Sequence, residues 1–162
     1  RVVRVIVQRV DRAQVTVDGG VVASIGSGLF CLLGVAGGDT EEDAAFIARK
    51  LIGLRVFGDG EGRMNLSVLE LEPAGGILVV PNFTVCGDTR KGRRPSYAKA
   101  APPEIGEALF ERVCGLVAAA GVEVGRGVFG AHMHCELVND GPVTVIVDSE
   151  LGPGRPESRS DG

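Results

Sequence analysis

At 162 residues, with 44% apolar side chains and a formal net charge of −4, the chain fits one domain with a real core and is no general binder of polyanions. Aromatics are 4% and tryptophan is absent, so Val, Leu, Ile and Ala must fill the interior. No apolar run approaches the roughly 18 residues of a membrane span, no secretory leader is expected, and the widely spaced Cys31, Cys86, Cys114 and Cys135 read as reduced thiols rather than a disulfide framework.

In chain order, residues 2–10 alternate Val3, Val5 and Val7 with Arg4 and Gln8, which predicts a strand with one wetter face. Ala13–Val17 alternates again, Asp18-Gly19-Gly20 is a hairpin signal, and Val21–Ile25 is the returning strand. Gly28–Val35 is a continuous apolar run, hence a strand buried on both faces. Asp39 or Thr40 can cap a helix whose first turn carries Glu42 and Asp43 and whose apolar side is Phe46, Ile47, Leu51 and Leu54. A Gly- and acid-rich turn over 57–63 precedes a short apolar stretch at 66–71, and Ile77–Val80 is a second buried strand stopped by Pro81.

Pro102-Pro103 opens a second helix with Leu109, Val113, Leu116 and Val117 on its apolar face and a glycine stop at Ala120-Gly121. Val122–Val124 is a short strand. The glycines of 125–130 surround Phe129 in a loop shaped by close backbone approach. Met133–Val138 and Val143–Val147 complete the sheet, and Asn139–Thr144 reads as a tight Gly-Pro turn between them. The pattern predicts an α+β fold: a curved, mostly antiparallel, barrel-like sheet carrying two main helices. It forms a single domain over 1–149, with 150–162 a Gly-, Pro-, Ser- and charge-rich disordered tail.

The chemistry concentrates in Pro81–Tyr97. After the strand come Asn82, Phe83 and Thr84, then a turn, then the cations Arg90, Lys91, Arg93 and Arg94. Exposed backbone and a hydroxyl beside a basic patch suit an anionic substrate; the plainer alternative is a strand end followed by a solvated loop. A threonine nucleophile needs a base, and His132 and His134 are the only histidines, both on one face of a predicted strand. With no Ser-centred motif present, Thr84 reads either as a structural hydroxyl or as a hydrogen-bond donor whose N–H, with that of Phe83, faces a scissile ester. His132, His134 and Cys135 hint at metal, but a closed zinc site needs four ligands and no second cluster exists, so no metal is expected.

Several segments in one order resemble the D-aminoacyl-tRNA deacylase family: Val5–Val10, Leu54–Phe57, Gly62–Ser67, Asp88–Ser96, Ala101–Pro103, Phe129–Met133 and Leu137–Thr144. The resemblance implies a homodimer without cofactor. It would hydrolyse the ester between a D-amino acid and the 3′-terminal ribose of tRNA, a chirality proofreading step of the cytoplasm, or of an organelle after removal of a transit peptide. It implies that Gly141-Pro142 is cis, enters the partner subunit's site and excludes L side chains with main chain alone, so that glycine passes. It implies that Arg9 braces this turn and that the ribose 2′-hydroxyl helps activate water. Phe129 and Met133 would line the pocket for the terminal adenine or belong to the core. Arg90, Lys91, Arg93 and Arg94 would contact phosphates.

One departure stands out. The family's usual Ser-Gln-Phe-Thr is here Pro81-Asn82-Phe83-Thr84, and Asn is one methylene shorter than Gln. A leading proline is shared with a sibling family associated with removing L-alanine from tRNA, which is the first alternative activity. The second is a non-catalytic nucleic-acid-binding protein on the same scaffold.

Overall fold

The computed structural model describes residues 3–149, so the tail expected at 150–162 lies outside the described residues. The chain opens with β1 (Arg4–Val17), one 14-residue strand where the sequence suggests two segments. It turns at Asp18-Gly19, both at positive φ, into β2 (Gly20–Ile25), and continues to β3 (Gly28–Gly34). The apparent gap in β1 is a change of face. Val5 and Val7 lie in one apolar core, whereas Val10, Ala13 and Val15 lie in a second. An extra residue, Asp11, sits between the pairs Val10↔Asn139 and Arg12↔Val138, and one inserted residue moves every later side chain to the opposite face.

Helix α1 (Glu41–Gly53) starts at Thr40, whose N–H donates to Asp43 Oδ2 at 2.8 Å. Ile47 and Leu51 are fully buried, and Phe46 lies under the Lys50 ammonium. A small hairpin of β4 (Phe57–Gly58) and β5 (Met64–Leu66) follows, then β6 (Gly76–Pro81). Helix α2 (Pro103–Ala119) has Pro103 at its first position and gives way to Gly121 at φ 93°. The chain ends through β7 (Glu123–Arg126) and β8 (His134–Asp148).

The sheet runs β2-β1-β3-β6-β7, with β8 along the other edge of β1. β1 pairs antiparallel with β2, β3 and β8, while β3–β6 and β6–β7 are parallel. The apolar runs of β3 and β6 split by parity: Leu29, Cys31, Leu33, Ile77 and Val79 face the helices, while Phe30, Leu78 and Val80 face the second core. That second core is the interior of a nearly closed barrel. β2 curls back onto β6 and β7, and at the seam a Cβ on Gly125 would sit only 3.4 Å from that of Ala23. Each large apolar side chain buried in either core contributes about 1.5–3 kcal/mol.

The reading of 139–144 as a hairpin turn is corrected. β8 is a single strand whose two halves both pair with β1. Between Gln8↔Thr144 and Val10↔Asn139, β1 advances two residues and β8 advances five, so Asp140–Val143 stand out as a wide bulge. Gly and Pro punctuate the chain as a turn would, but β1 supplies one uninterrupted partner, and the extra residues loop out instead of reversing direction.

Candidate active site

Two clusters hold most of the residues singled out in the sequence. The first grows from the C-terminal end of β6. Asn82 N–H donates to the Leu33 carbonyl at 2.8 Å, tying the strand's end to β3. The chain then tightens into a 3-10 turn, Phe83–Cys86, capped by Asn82, whose Oδ1 accepts from Thr84 N–H at 3.2 Å. The Thr84 hydroxyl donates to the same oxygen. Thr84 is therefore engaged twice with a neutral amide, which is no general base. The Phe83 N–H heads the turn, among the donors that a helical turn leaves open.

Beside this turn lies a small pocket of about 20 Å³ lined by Pro81, Asn82, Phe83, Phe110 and Phe129 among others. It has room for roughly one water. Phe129 packs on α2, its ring 3.3 Å from where a Cβ of Gly106 would stand. Met133 packs against the barrel interior, and its sulfur accepts from Val128 N–H at 3.4 Å. Cys86 is half-buried in the same turn, and burial raises its thiol pKa. Burial also pushes the Cys114 thiol up to about 12, and all four cysteines are free.

The basic loop springs from this turn. Asp88 and Ser96 exchange two backbone hydrogen bonds of 2.8 Å that close its neck. The Asp88 carboxylate accepts from Arg90 Nε at 2.9 Å and Nη2 at 2.6 Å, with Lys99 at 3.9 Å. The Arg90 hydrogen bonds hold the Asp88 carboxyl well below the usual carboxylate range. Arg90 is thus spent on shaping the loop, whereas Lys91, Arg93 and Arg94 are exposed and, among the described residues, make no ion pair. Tyr97 ends the loop with its ring edge-on to Phe83 at 5.2 Å, a partner the sequence reading did not single out.

The second cluster is the β8 bulge. The Gly141-Pro142 peptide is cis, and both residues are exposed. Arg9, mostly buried, donates from Nε to the Asp140 carbonyl at 2.9 Å and from Nη1 to the Val56 carbonyl at 2.7 Å, and lies 3.2 Å from Asp140 Oδ2. Asn139 Nδ2 donates to the carbonyls of Arg9 at 2.9 Å and Val143 at 3.1 Å, closing the bulge from inside. Asn139 and Val56 were not legible as parts of this device.

One chain does not bring the two clusters together. The 3-10 turn packs on Gly34, which pairs with Arg4, while the bulge faces Gln8–Val10 from the other edge of β1. At about 3.3 Å per residue the separation is on the order of 15 Å. His132 and His134 stack at 5.0 Å on the surface; among the described residues no group of three or more potential metal ligands occurs, and no helix is long and apolar enough to cross a membrane.

Among the described residues β8 pairs only with β1, and its braced main-chain bulge, the capped turn after β6 and the cationic loop together suit an anionic substrate. The family model for D-Tyr-tRNA(Tyr) deacylase matches residues 6–148. The D-aminoacyl-tRNA deacylase of Anaeromyxobacter dehalogenans (strain 2CP-C) is 53% identical over 146 residues, covering 90% of this chain and 97% of that protein. That of Carboxydothermus hydrogenoformans is 53% identical over 145 residues, covering 90% and 99%. Among solved structures, a c-Myc DNA Unwinding Element Binding Protein superposes with a TM-score of 0.82 at 34% identity, covering 89% of this chain and 97% of that one. A probable eukaryotic D-amino acid tRNA deacylase, at 22% identity and a TM-score of 0.78, shares the fold. The chain belongs to the D-Tyr-tRNA(Tyr) deacylase family.

Proposed function

We propose that this chain hydrolyses the ester between a D-amino acid and the 3′-terminal ribose of tRNA, as a homodimer whose sites form between subunits. Relatives that are D-aminoacyl-tRNA deacylases, 53% identical over 90% of the chain, support the reaction. The observation that carries the arrangement is the separation of the Gly141-Pro142 bulge from the Asn82–Thr84 turn within one chain, with the bulge exposed on a free strand edge. A second copy, related by a two-fold axis, can present its bulge to the first copy's turn and receive the same in return.

In that arrangement the bulge offers rigid main chain to the substrate's α-carbon. An L side chain would collide with it, a D side chain points away, and glycine has nothing to exclude. Phe83 N–H is placed to donate to the ester oxygen as charge develops. Thr84 and Asn82 shape the turn and transfer no proton. Activation of the attacking water is then helped from the substrate side, by the ribose 2′-hydroxyl. Lys91, Arg93 and Arg94 hold the phosphate backbone.

Mixing protomers tests the shared site. A Gly141→Ala chain and a Phe83→Pro chain are each expected to be inactive, and their mixture to recover part of the activity, because each mixed dimer keeps one intact pairing. No recovery from a mixture shown to exchange subunits contradicts a shared site.

A further inference from the structure

The β8 bulge is held by one arginine, Arg9, and a second bulge nearby is held by another. The second lies in the small hairpin. Between the pairs Gly58↔Met64 and Phe57↔Leu66, β4 spans one step and β5 two, so Asn65 is the extra residue. A bulged residue loses its place in the ladder, and its backbone groups must find other partners. Arg55 supplies one. Its Nε donates to the Asn65 carbonyl at 2.8 Å, and its Nη2 donates to Asn65 Oδ1. The turn seats Asn65 from the other side. The Asp59 carboxylate accepts from the N–H groups of Glu61 at 2.8 Å and Arg63 at 3.0 Å. These bonds, with one from the Asn65 side chain, hold the Asp59 carboxyl below its usual range.

The two arginines meet at Val56. Arg55 precedes it, and the Val56 carbonyl accepts from Arg9 Nη1 at 2.7 Å. The buried side chains of Val56 and Phe57 fix where this segment lies. The direction of the Val56 carbonyl depends on its flanks, held by Arg55 on one side and by Phe57↔Leu66 on the other. We infer that Asn65, acting through Arg55 and the Val56 carbonyl, is a positioning residue for the Gly141-Pro142 bulge and so for the choice between D and L esters. This rests on the deacylase reading and extends chiral selection from the bulge to the hairpin of β4 and β5. With Asn65 truncated, the Arg55 fork loses its side-chain acceptor and the Val56 peptide is free to turn. Arg9 then loses one of the two acceptors that set the plane of its guanidinium. Held by one arm, it rotates about the remaining bond, and the main chain after Asp140 is no longer fixed.

Selectivity and structure are read on the same full-length variants. The kcat/KM for D-tyrosyl-tRNA, divided by that for L-tyrosyl-tRNA, is measured for wild type, Asn65→Ala, Arg9→Ala and the two combined. In isotope-labelled protein without substrate, the Gly141 amide and Arg9 Nε–H cross-peaks report on the bulge directly. Asn65→Ala is expected to narrow the ratio about fivefold and to shift both cross-peaks. Added to Arg9→Ala it should narrow the ratio no further, because the two residues act in series. Arg55→Lys keeps the charge but not two parallel donors, and should match Asn65→Ala. Ser67→Ala is the control. It opens the capping box directly after β5, where the Ser67 hydroxyl donates to Glu70 Oε1 at 2.9 Å. It should lower Tm without moving the ratio or either cross-peak.

An unchanged ratio in folded Asn65→Ala overturns the assignment, and an unmoved Gly141 cross-peak does so without reference to activity. Losses that multiply in the combined variant also overturn it, as does a Ser67→Ala ratio that narrows as far as that of Asn65→Ala. Wild-type protein that releases neither tyrosine, while Asn65→Ala still shifts the Gly141 cross-peak, keeps the coupling and sinks the enzymatic reading instead.

Discussion

Arg9 Nε donates to the Asp140 carbonyl at 2.9 Å, so a side chain from the third turn of pleat in β1 fixes the main chain next to Gly141-Pro142. The other arm of the same guanidinium reaches the Val56 carbonyl at 2.7 Å, which ties the bulge to the segment entering β4. Removing Arg9 takes a donor from the exposed Asp140 carbonyl, where water can replace it, and from the part-buried Val56 carbonyl, where the loss costs about 1–3 kcal/mol. Arg9→Ala is expected to narrow the ratio of D- to L-ester hydrolysis by tenfold or more while lowering the melting temperature by a few degrees. Arg9→Lys restores charge but not the two-armed geometry and should recover little selectivity. Ester hydrolysis rates for both enantiomers, beside a thermal melt, check this; an unchanged ratio in Arg9→Ala removes Arg9 from chiral selection.

Gly141 leaves no space for a side chain. A Cβ there would lie 1.9 Å from the Val143 nitrogen and 3.1 Å from Asn139 Oδ1, so the bulge must change shape to admit one. The strand on either side remains paired with β1 and should hold the fold. Gly141→Ala is expected to lose more than about 90% of activity with an unchanged circular dichroism spectrum. Near-normal activity would mean that the shape of the bulge is not used.

Thr84 donates both its hydroxyl hydrogen and its N–H to Asn82 Oδ1. Thr84→Ala should stay within about tenfold of wild-type kcat. Asn82→Ala, which removes the cap, costs about 1 kcal/mol of local order and should lower kcat more than Thr84→Ala does. A fall beyond about 10³-fold in folded Thr84→Ala, the scale of a group that takes part in proton transfer, would restore Thr84 as a catalytic residue.

The cations of the loop are not equivalent. Lys91→Ala, Arg93→Ala and Arg94→Ala should each weaken tRNA binding and reduce the log–log salt slope by about 1. Arg90→Ala should leave the slope nearly unchanged, because Asp88 already neutralises it. The Asp88 carboxyl is depressed, so its hold on Arg90 is complete above the ordinary carboxylate range and is lost only as pH falls through its lowered value. The loop is therefore expected to bind RNA with no Asp88-linked pH dependence from about pH 5 to 8. A full unit of slope lost in Arg90→Ala contradicts the assignment.

Much of this was legible in the residues because period and punctuation agree. The apolar runs of β3 and β6, a cap at Asp39 or Thr40, which falls on Thr40, and the Pro103 start each follow from local chemistry. The continuity of β8 was not, since Gly141-Pro142 carries a turn signal and only the partner strand decides between a turn and a bulge. The same holds for β1, where Asp11-Arg12 breaks the alternation by shifting it to another core. At the site, a two-residue Asp88–Arg90 spacing is consistent with a local clasp, but its neck depends on Ser96 across the loop. Tyr97 and Phe83 meet only in space, so their pairing left no periodic trace.

The most direct measurement is the hydrolysis of D-tyrosyl-tRNA beside L-tyrosyl-tRNA, with L-alanyl-tRNA as a third substrate. Rapid release of D-tyrosine with L-tyrosine and L-alanine left on tRNA is the expected result. It would place Pro81 and Asn82 as tolerated variations of the turn. Release of L-alanine in preference to D-tyrosine would contradict the account of the bulge as a barrier to L side chains and move the activity to the sibling specificity.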